Sequence, residues 1–287
     1  MKTVRKQVSA PATQPMGPEA FADRKDTALY WLGSGGILIN TRGTLLMIDP
    51  VIGRDAKDPE LSEAGYRFLV PPPIAPEEIL KLDAVLYTHA DYDHLAPGSA
   101  RGLLPTGATY HGTDFTAKTL EKSGIDSSRI LVHKIGELFS VGEVRITLTR
   151  ASHSWQKDRP EFDWCYGPED CCGFLLDTPD GRIWIPGDSI LLKEHLQMQQ
   201  VDLMFFDLST DPYHFGPEAA IRLANELCPA ELLLYHYGTY DAPDKPAFNA
   251  DPASADGKLK HPERLHILAP GEPYLLRKRE KELSPIS

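Results

Sequence analysis

The segment from Thr88 to Pro97, THADYDHLAP, carries four metal-capable side chains within six residues: His89, Asp91, Asp93 and His94. Imidazole nitrogens and carboxylate oxygens both ligate divalent metals. On a tight turn, alternate side chains can enter one pocket while the last two reach a neighbouring position. A solvated Asp-rich turn is the alternative interpretation, but such a turn needs neither histidine. The spacing therefore favours a site for two adjacent ions.

An apolar run over residues 83 to 88 precedes this cluster and predicts a buried strand. Sites in open α/β architectures lie where strands leave their sheet. Four other residues follow apolar runs in the same way: Asp49, His153, Asp188 and His236. Taken singly, each has a structural explanation, since a histidine at a strand end is often a core residue and Gly-Asp often a turn. Together they predict a site assembled from distant segments.

These motifs, in this order, resemble those of the metallo-β-lactamase superfamily, whose signature is His-x-His-x-Asp-His. The resemblance implies that His89, Asp91 and His153 hold a first metal and that Asp93, His94 and His236 hold a second. It also implies that Asp188 bridges the ions and that Asp49 orients a ligand from behind. This chain departs from the pattern at Asp91, where most members carry a histidine.

Within the superfamily, the chain is most similar to the branch of L-ascorbate 6-phosphate lactonase and N-acylphosphatidylethanolamine phospholipase D. The similarity covers roughly residues 28 to 276 and rests on YWLGSGGILI at 30 to 39, HFGPEAA at 214 to 220 and HYGTY at 236 to 240. It implies an α/β (α+β) fold, the four-layer αββα sandwich with metals along one edge.

The chain has 287 residues, of which 41% are hydrophobic, enough for one substantial core. We predict an extended or disordered arm over residues 1–27, the metal-binding domain over 28–276 and a polar tail over 277–287. No apolar run approaches the roughly 20 residues of a membrane helix, and the first residues lack the apolar stretch of a signal peptide. These features predict a cytoplasmic protein.

The formal net charge of −11 argues against nucleic acid as a partner, because such proteins neutralise phosphates with Lys and Arg. A small molecule is the expected substrate, with an anionic group as one option, and a homo-oligomer is an open alternative to a monomer. Cys165, Cys171 and Cys172 are expected to be reduced thiols that pack under a loop. A third metal or a redox pair is the sharper alternative for them.

Strands are predicted at residues 28–40, 44–49, 83–88, 107–111, 130–134, 144–150, 173–178, 182–186, 202–207, 231–236 and 265–269. Helices are predicted from Thr113, as a possible cap, to Lys122 and from Pro217 to Leu227. Strands of both hairpin and crossover type imply mixed sheets.

The resemblance implies hydrolysis by a metal-bound hydroxide, with a lactone, ester or phosphoester as substrate. A lactone is the first expectation, a phosphodiester the second, and a diiron redox or oxygen-handling protein a different class of alternative. The extra charge of Asp91 favours Mn or Fe over Zn compared with an all-histidine site. If Asp91 is too short to reach an ion, a single metal is expected.

The residues expected at the reacting centre are Asp188, Asp93 and His214. His214 precedes a helix start, where backbone N–H groups favour anions, although it could equally cap the helix. The other candidates for substrate contact are Tyr240, Trp155 and Trp164. The two tryptophans belong to the segment from residue 153 to 172, whose aromatic and basic residues suit a pocket wall.

Overall fold

The computed structural model describes residues 7–277, in which fourteen strands form two seven-stranded sheets. The first sheet contains β1 (Thr27–Gly33), β2 (Gly36–Thr41), β3 (Thr44–Ile48), β4 (Ala84–Leu86), β5 (Thr109–Gly112) and β6 (Ile130–Val132), with β14 (Pro273–Leu275) beside β1. The second sheet contains β7 (Leu138–Val141), β8 (Val144–Arg150), β9 (Cys172–Thr178), β10 (Gly181–Ile185), β11 (Leu203–Phe206), β12 (Glu231–Leu234) and β13 (Leu265–His266).

The two sheets share one pairing scheme. In each, one half is antiparallel and the other half is parallel, with the change at β3 in the first sheet and at β10 in the second. The parallel strands of each sheet end at the same edge. This arrangement confirms the prediction of mixed sheets, and it brings the chain segments that follow these strands together.

Alternation along the strands divides the interior into two cores. In β1, Leu29 and Trp31 face the core between the sheets, whereas Tyr30 and Leu32 face a second core on the outer side of the first sheet. Helices α1 (Pro97–Gly102) and α2 (Asp114–Lys122) cover that outer side, and α3 (Gly216–Glu226) packs on the second sheet. The four layers confirm the predicted αββα sandwich.

The predicted elements were largely confirmed, with a few errors. The single strand predicted over 28–40 is wrong, because the chain reverses between β1 and β2. Gly33 and Ser34 have positive φ values of 101° and 43°, which a continuous strand does not allow. Strands β7 and β14 and helix α1 were not predicted from the sequence. Helix α1, PGSARG, contains two glycines and a proline, so local propensity gives no signal for it.

Helix α2 begins as predicted, since the Thr113 hydroxyl accepts a hydrogen bond from the Thr116 backbone N–H at 3.4 Å. Within residues 7–277, no helix has the length and apolar character to cross a membrane.

In the described part of the N-terminal arm, residues 7–17 form no helix or strand and pack on the domain, and a short 3-10 helix follows at Pro18–Phe21. The backbone N–H of Ala10 donates to Gly238 O at 3.0 Å, and that of Gln14 donates to Pro270 O at 2.8 Å. The predicted tail, apart from Arg277, lies outside the described residues. The domain boundaries at 27 and 277 therefore stay predictions.

Candidate metal centre

The predicted site residues lie together at the edge where the parallel strands end. Each follows a strand: Asp49 follows β3, His89 follows β4, His153 follows β8, Asp188 follows β10 and His236 follows β12. Because strand ends along one edge are neighbours in space, residues that are far apart in the chain converge there.

The converging side chains form two clusters of possible metal ligands, each with its ligand atoms within 4.8 Å of one another. The first cluster contains His89, Asp91 and His153. The second cluster contains Asp93, His94, Asp188 and His236. These two clusters contain all seven predicted ligands. His214 belongs to two further groups, one with His153 and Asp188 and one with Asp207 and His236. The division of the ligands between two ions stays a prediction.

Asp188 lies at the centre of the two clusters. One carboxylate oxygen, Oδ2, is near the Nε2 atoms of five imidazoles, at 3.2 Å from His94, 3.3 Å from His214, 3.6 Å from His236, and 3.9 Å from both His89 and His153. A carboxylate in that position is within reach of both clusters.

The five imidazoles are held in one orientation by partners behind them. In each ring Nδ1 contacts an oxygen: in His89 it contacts Thr88 Oγ1, in His94 Asp49 Oδ2, in His153 Tyr213 O, in His214 Asp207 Oδ2 and in His236 Ala247 O, at distances from 2.7 to 3.1 Å. These contacts favour the proton on Nδ1 and leave the Nε2 lone pair facing the centre, as in metal-binding histidines.

Asp49 lies behind His94, and its predicted orienting role stays a prediction. Besides contacting His94 at 2.8 Å, its carboxylate accepts hydrogen bonds from the Thr88 backbone N–H at 2.8 Å and from the Thr88 hydroxyl at 2.5 Å. Its backbone has a φ of 46°, a conformation that costs energy in a residue other than glycine. The contacts with Thr88 and His94 hold the carboxylate behind the second cluster.

Opposite charges dominate the electrostatics of the centre. Burial by itself raises the pKa of Asp188, but His214, His236 and His94 outweigh it and hold this pKa well below the usual range. Burial by itself lowers the pKa of His236, yet Asp188 and Asp93 raise it to about 9. The carboxylates therefore make this buried edge favourable for positive charge, in the form of either protons or metal ions.

The residues fit divalent metal ions. His89 Nε2 and Asp188 Oδ1 are buried and have no hydrogen-bond partner among the described residues. Buried polar atoms are rarely left unpaired, so each indicates a further ligand. A mixed imidazole and carboxylate donor set suits Zn, Mn and Fe.

A cavity of about 470 Å³ opens onto the centre. Aromatic rings form much of its wall, and Asp91, Asp93, His153, Asp188 and His214 face it from the centre. Two of the predicted substrate contacts, Trp155 and Trp164, also line it. Tyr240 does not: it is buried, with its ring packed against Tyr66 and Phe248.

His214 faces the centre and does not cap helix α3, whose N-terminus has no side-chain cap. The sequence analysis missed its partner, Asp207, whose Oδ2 lies 2.7 Å from His214 Nδ1. The signal for Asp207 was present, because this residue directly follows the apolar strand β11, as Asp49 follows β3.

The cysteines are free thiols, as predicted. Cys171 and Cys172 are buried in apolar clusters and Cys165 is exposed. The groups of possible metal ligands found among residues 7–277 contain no cysteine. The simpler interpretation, packing beneath a loop, accounts for the two buried cysteines.

An αββα sandwich with a His and Asp centre at the edge of its sheets defines the metallo-β-lactamase fold of metal-dependent hydrolases. The family model described as Beta-lactamase superfamily domain matches residues 44–237. The chain belongs to this superfamily and is a metal-dependent hydrolase of the metallo-β-lactamase fold.

Known proteins of similar sequence and structure agree with this assignment. The UPF0173 metal-dependent hydrolase of Pyrobaculum arsenaticum is 23% identical over 252 residues, covering 85% of this chain and 97% of the relative. The structure of Igni18, a metallo hydrolase from Ignicoccus hospitalis, has a TM-score of 0.67 at 19% identity, covering 89% of this chain and all of Igni18. An isothiocyanate hydrolase from Delia radicum gut bacteria has a TM-score of 0.68 at 20% identity, covering 88% of this chain and all of that one.

Proposed function

We propose that the protein hydrolyses a small, uncharged ester or lactone at a centre of two divalent ions. One observation carries the proposal: two clusters of ligands meet at Asp188 and face a single cavity walled by aromatic rings. A lactone is the first expectation, in line with the sequence resemblance. Hydrolysis of a phosphodiester is the second.

In this proposal, the first ion is held by His89, Asp91 and His153, and the second by Asp93, His94 and His236, with Asp188 between them. Mn, Zn or Fe would suit these ligands. Ions held by these residues would supply Lewis-acid chemistry, that is, activation of a water molecule and polarisation of the substrate carbonyl. The chain therefore needs no serine or cysteine nucleophile.

The cavity favours a neutral substrate. Trp155, Phe162, Trp164 and Phe248 form apolar surface in its wall. Among the described residues that line it, the only Lys and Arg are Arg159 and Lys245; both are exposed, and Asp211 and Asp244 lie in the same wall. Apart from Asp91, Asp93 and Asp188 at the metal centre, the wall carries two bases and two acids, so it offers no net positive charge to a phosphate or carboxylate. An uncharged acyl or ring group gains most from this surface.

His214 is the proposed proton donor to the leaving group. Its Nε2 faces the cavity side of Asp188 at 3.3 Å, and Asp207 holds Nδ1 from behind at 2.7 Å. A carboxylate behind an imidazole fixes the tautomer and stabilises the imidazolium form, as a general acid requires. In this role His214 Nε2 would protonate the alcohol oxygen that leaves when the ester bond breaks.

The test is a substrate panel with the metal-loaded protein. The panel contains neutral lactones, neutral aryl esters, an isothiocyanate as the substrate named for the neighbouring structure, and aryl phosphodiesters. We expect the highest kcat/KM with a lactone or ester and loss of turnover after chelation. Turnover of phosphodiesters alone, or of the isothiocyanate alone, would overturn the proposed substrate class.

One observation favours a candidate of a different class, an iron-dependent redox activity. Asp91 adds a third carboxylate beside Asp93 and Asp188, and hard oxygen ligands suit iron better than an all-histidine set. Anaerobic loading with Fe(II), followed by exposure to oxygen, tests this candidate. A visible oxo-bridged iron spectrum with no hydrolysis of any panel compound would favour the redox candidate over the hydrolase.

A further inference from the structure

Both carboxylate oxygens of Asp91 accept a hydrogen bond from an aromatic side chain. The indole Nε1–H of Trp155 donates to Oδ2 at 2.7 Å, and the hydroxyl of Tyr166 donates to Oδ1 at 2.8 Å. The direction of the second bond is fixed, because the Tyr166 hydroxyl also lies 3.2 Å from the Ala90 backbone N–H, which can only donate. The Tyr166 hydroxyl is therefore the donor in its hydrogen bond with Asp91.

The two hydrogen bonds aim the Asp91 carboxylate at the first cluster. Its Oδ2 lies 3.4 Å from His89 Nε2 and 3.3 Å from His153 Nε2, whereas Oδ1 points to Tyr166. With Oδ1 occupied in this way, the carboxylate presents a single oxygen to the cluster. Binding through both oxygens would require breaking the bond to Tyr166.

The donors themselves are held firmly in place. Tyr166 is buried, and its ring contacts Phe115 and Trp164 edge to face, with centroids 5.1 and 5.2 Å away. The ring of Trp155 contacts Phe162 edge to face at 4.8 Å and forms part of the cavity wall. Packed aromatic rings have little freedom, so the hydrogen bonds define one rotamer of Asp91.

We propose that Trp155 and Tyr166 are positioning residues that fix Asp91 as a metal ligand through one oxygen. They let a carboxylate occupy the place where the superfamily signature has a histidine, which also offers one ligand atom. The inference rests on the proposed metal centre. The segment from residue 153 to 172 would then have two roles. It forms part of the cavity wall and it positions a metal ligand, and Trp155 takes part in both roles.

The test compares Trp155→Phe and Tyr166→Phe with the wild-type protein, all purified at full length. Each variant removes one hydrogen bond to Asp91 and keeps an aromatic ring. We expect dissociation constants for the more weakly bound Zn or Co(II) ion to rise by about tenfold, as for other groups that orient metal ligands. The visible spectrum of the Co(II)-loaded Tyr166→Phe protein should also change, because Asp91 Oδ1 is then free to bind the ion together with Oδ2.

Tyr110→Phe is the matched control. Its buried hydroxyl donates to Ala100 O at 2.8 Å, and neither residue belongs to the ligand clusters, so its loss should leave metal affinity and the Co(II) spectrum unchanged. Thermal melting of every variant checks the fold. Should one variant fail to fold, the other still tests the proposal.

A second measurement separates a direct effect on Asp91 from a general loosening of the wall. In an Asp91→His background the carboxylate is absent, so adding Tyr166→Phe should change metal affinity by no more than about twofold. A tenfold effect in that background would overturn the inference, as would unchanged affinity and spectrum in both single variants. If the wild-type protein binds no transition metal, the proposed function itself fails.

Discussion

Two pairs of buried histidines in this molecule have the same distance between their ring nitrogens but pKa values shifted in opposite directions. In the metal centre, His94 Nε2 and His236 Nε2 lie 3.0 Å apart. Near the ends of β5 and β6, His111 Nδ1 and His133 Nε2 also lie 3.0 Å apart. The pKa of His236 is raised to about 9, whereas that of His111 is lowered to about 4.

The carboxylates explain the difference. Burial lowers the pKa of both histidines, and for His111 the neighbouring His133 lowers it further. His236 has Asp188 and Asp93 beside it, whereas the other nitrogen of His111 contacts the hydroxyl of Thr109, at 2.8 Å. A carboxylate also contacts this second pair, but from the far side: Glu137 Oε1 lies 2.9 Å from His133 Nδ1. Buried imidazoles alone favour the neutral form, and carboxylates placed between them turn the same geometry into a cation site.

Removal of the shared carboxylate should have the largest effect on the metal centre. Asp188→Ala should lose both ions, because one side chain serves both clusters. The loss of metal activation corresponds to several kcal/mol, so kcat/KM should fall by roughly a thousandfold or more. Elemental analysis of the dialysed variant measures the metal. A full complement of metal in this variant would show that Asp188 does not bridge.

The histidine pair outside the centre should affect stability and not metal binding. The folded protein holds His111 neutral with a pKa near 4, below the usual 6.5. The unfolded chain therefore binds the proton more tightly, and stability should decline as the pH falls from about 6.5 to 4. A shift of this size corresponds to about 3 kcal/mol.

Urea unfolding of His111→Gln at pH 6.5 and pH 4.5 measures this contribution. The variant should lose less stability between the two pH values than the wild type. His261→Gln is the control for the substitution itself, because that side chain is exposed. Reduced metal content in His111→Gln would contradict the expectation that this histidine pair does not affect metal binding.

A smaller effect is expected from the carboxylate behind His214. Asp207→Asn keeps the shape of the side chain but removes the charge that would stabilise the imidazolium form. We expect kcat to fall by roughly 10- to 100-fold with bound metal unchanged. A loss of metal with little change in the kcat of the remaining holoenzyme would instead make His214 a metal ligand.

The smallest expected change concerns metal preference. Asp91→His removes one negative charge from the first cluster and should shift competition between Zn and Mn toward Zn by about tenfold. Competition dialysis followed by elemental analysis measures the ratio. An unchanged ratio would show that Asp91 does not contact the ion.

Much of the fold and of the centre could be predicted from the sequence, because strand ends carry a local signal. Asp49, His89 and Asp188 each follow an apolar run, and the structure brings all three to one edge. Contacts between side chains that are distant in the sequence leave no such local signal. Tyr166 approaches Asp91 only when the segment around residue 166 folds over the strand ends.

Tyr240 was predicted from the sequence to contact substrate, and the structure does not place it in the cavity wall. Its place beside His236 in the sequence suggested contact with substrate, yet the ring turns into a cluster with Tyr66 and Phe248. Side-chain direction in a loop depends on what packs beneath it. The reversal between β1 and β2 was also missed, because glycines at 33, 35 and 36 are compatible with either a turn or a bulge.

The metal content of the purified protein tests the central claim most directly. Protein dialysed against metal-free buffer after loading with Mn or Zn should retain about two ions per chain by elemental analysis. Retention of no transition metal by folded protein would contradict the account, since the seven side chains would then have no shared ligand.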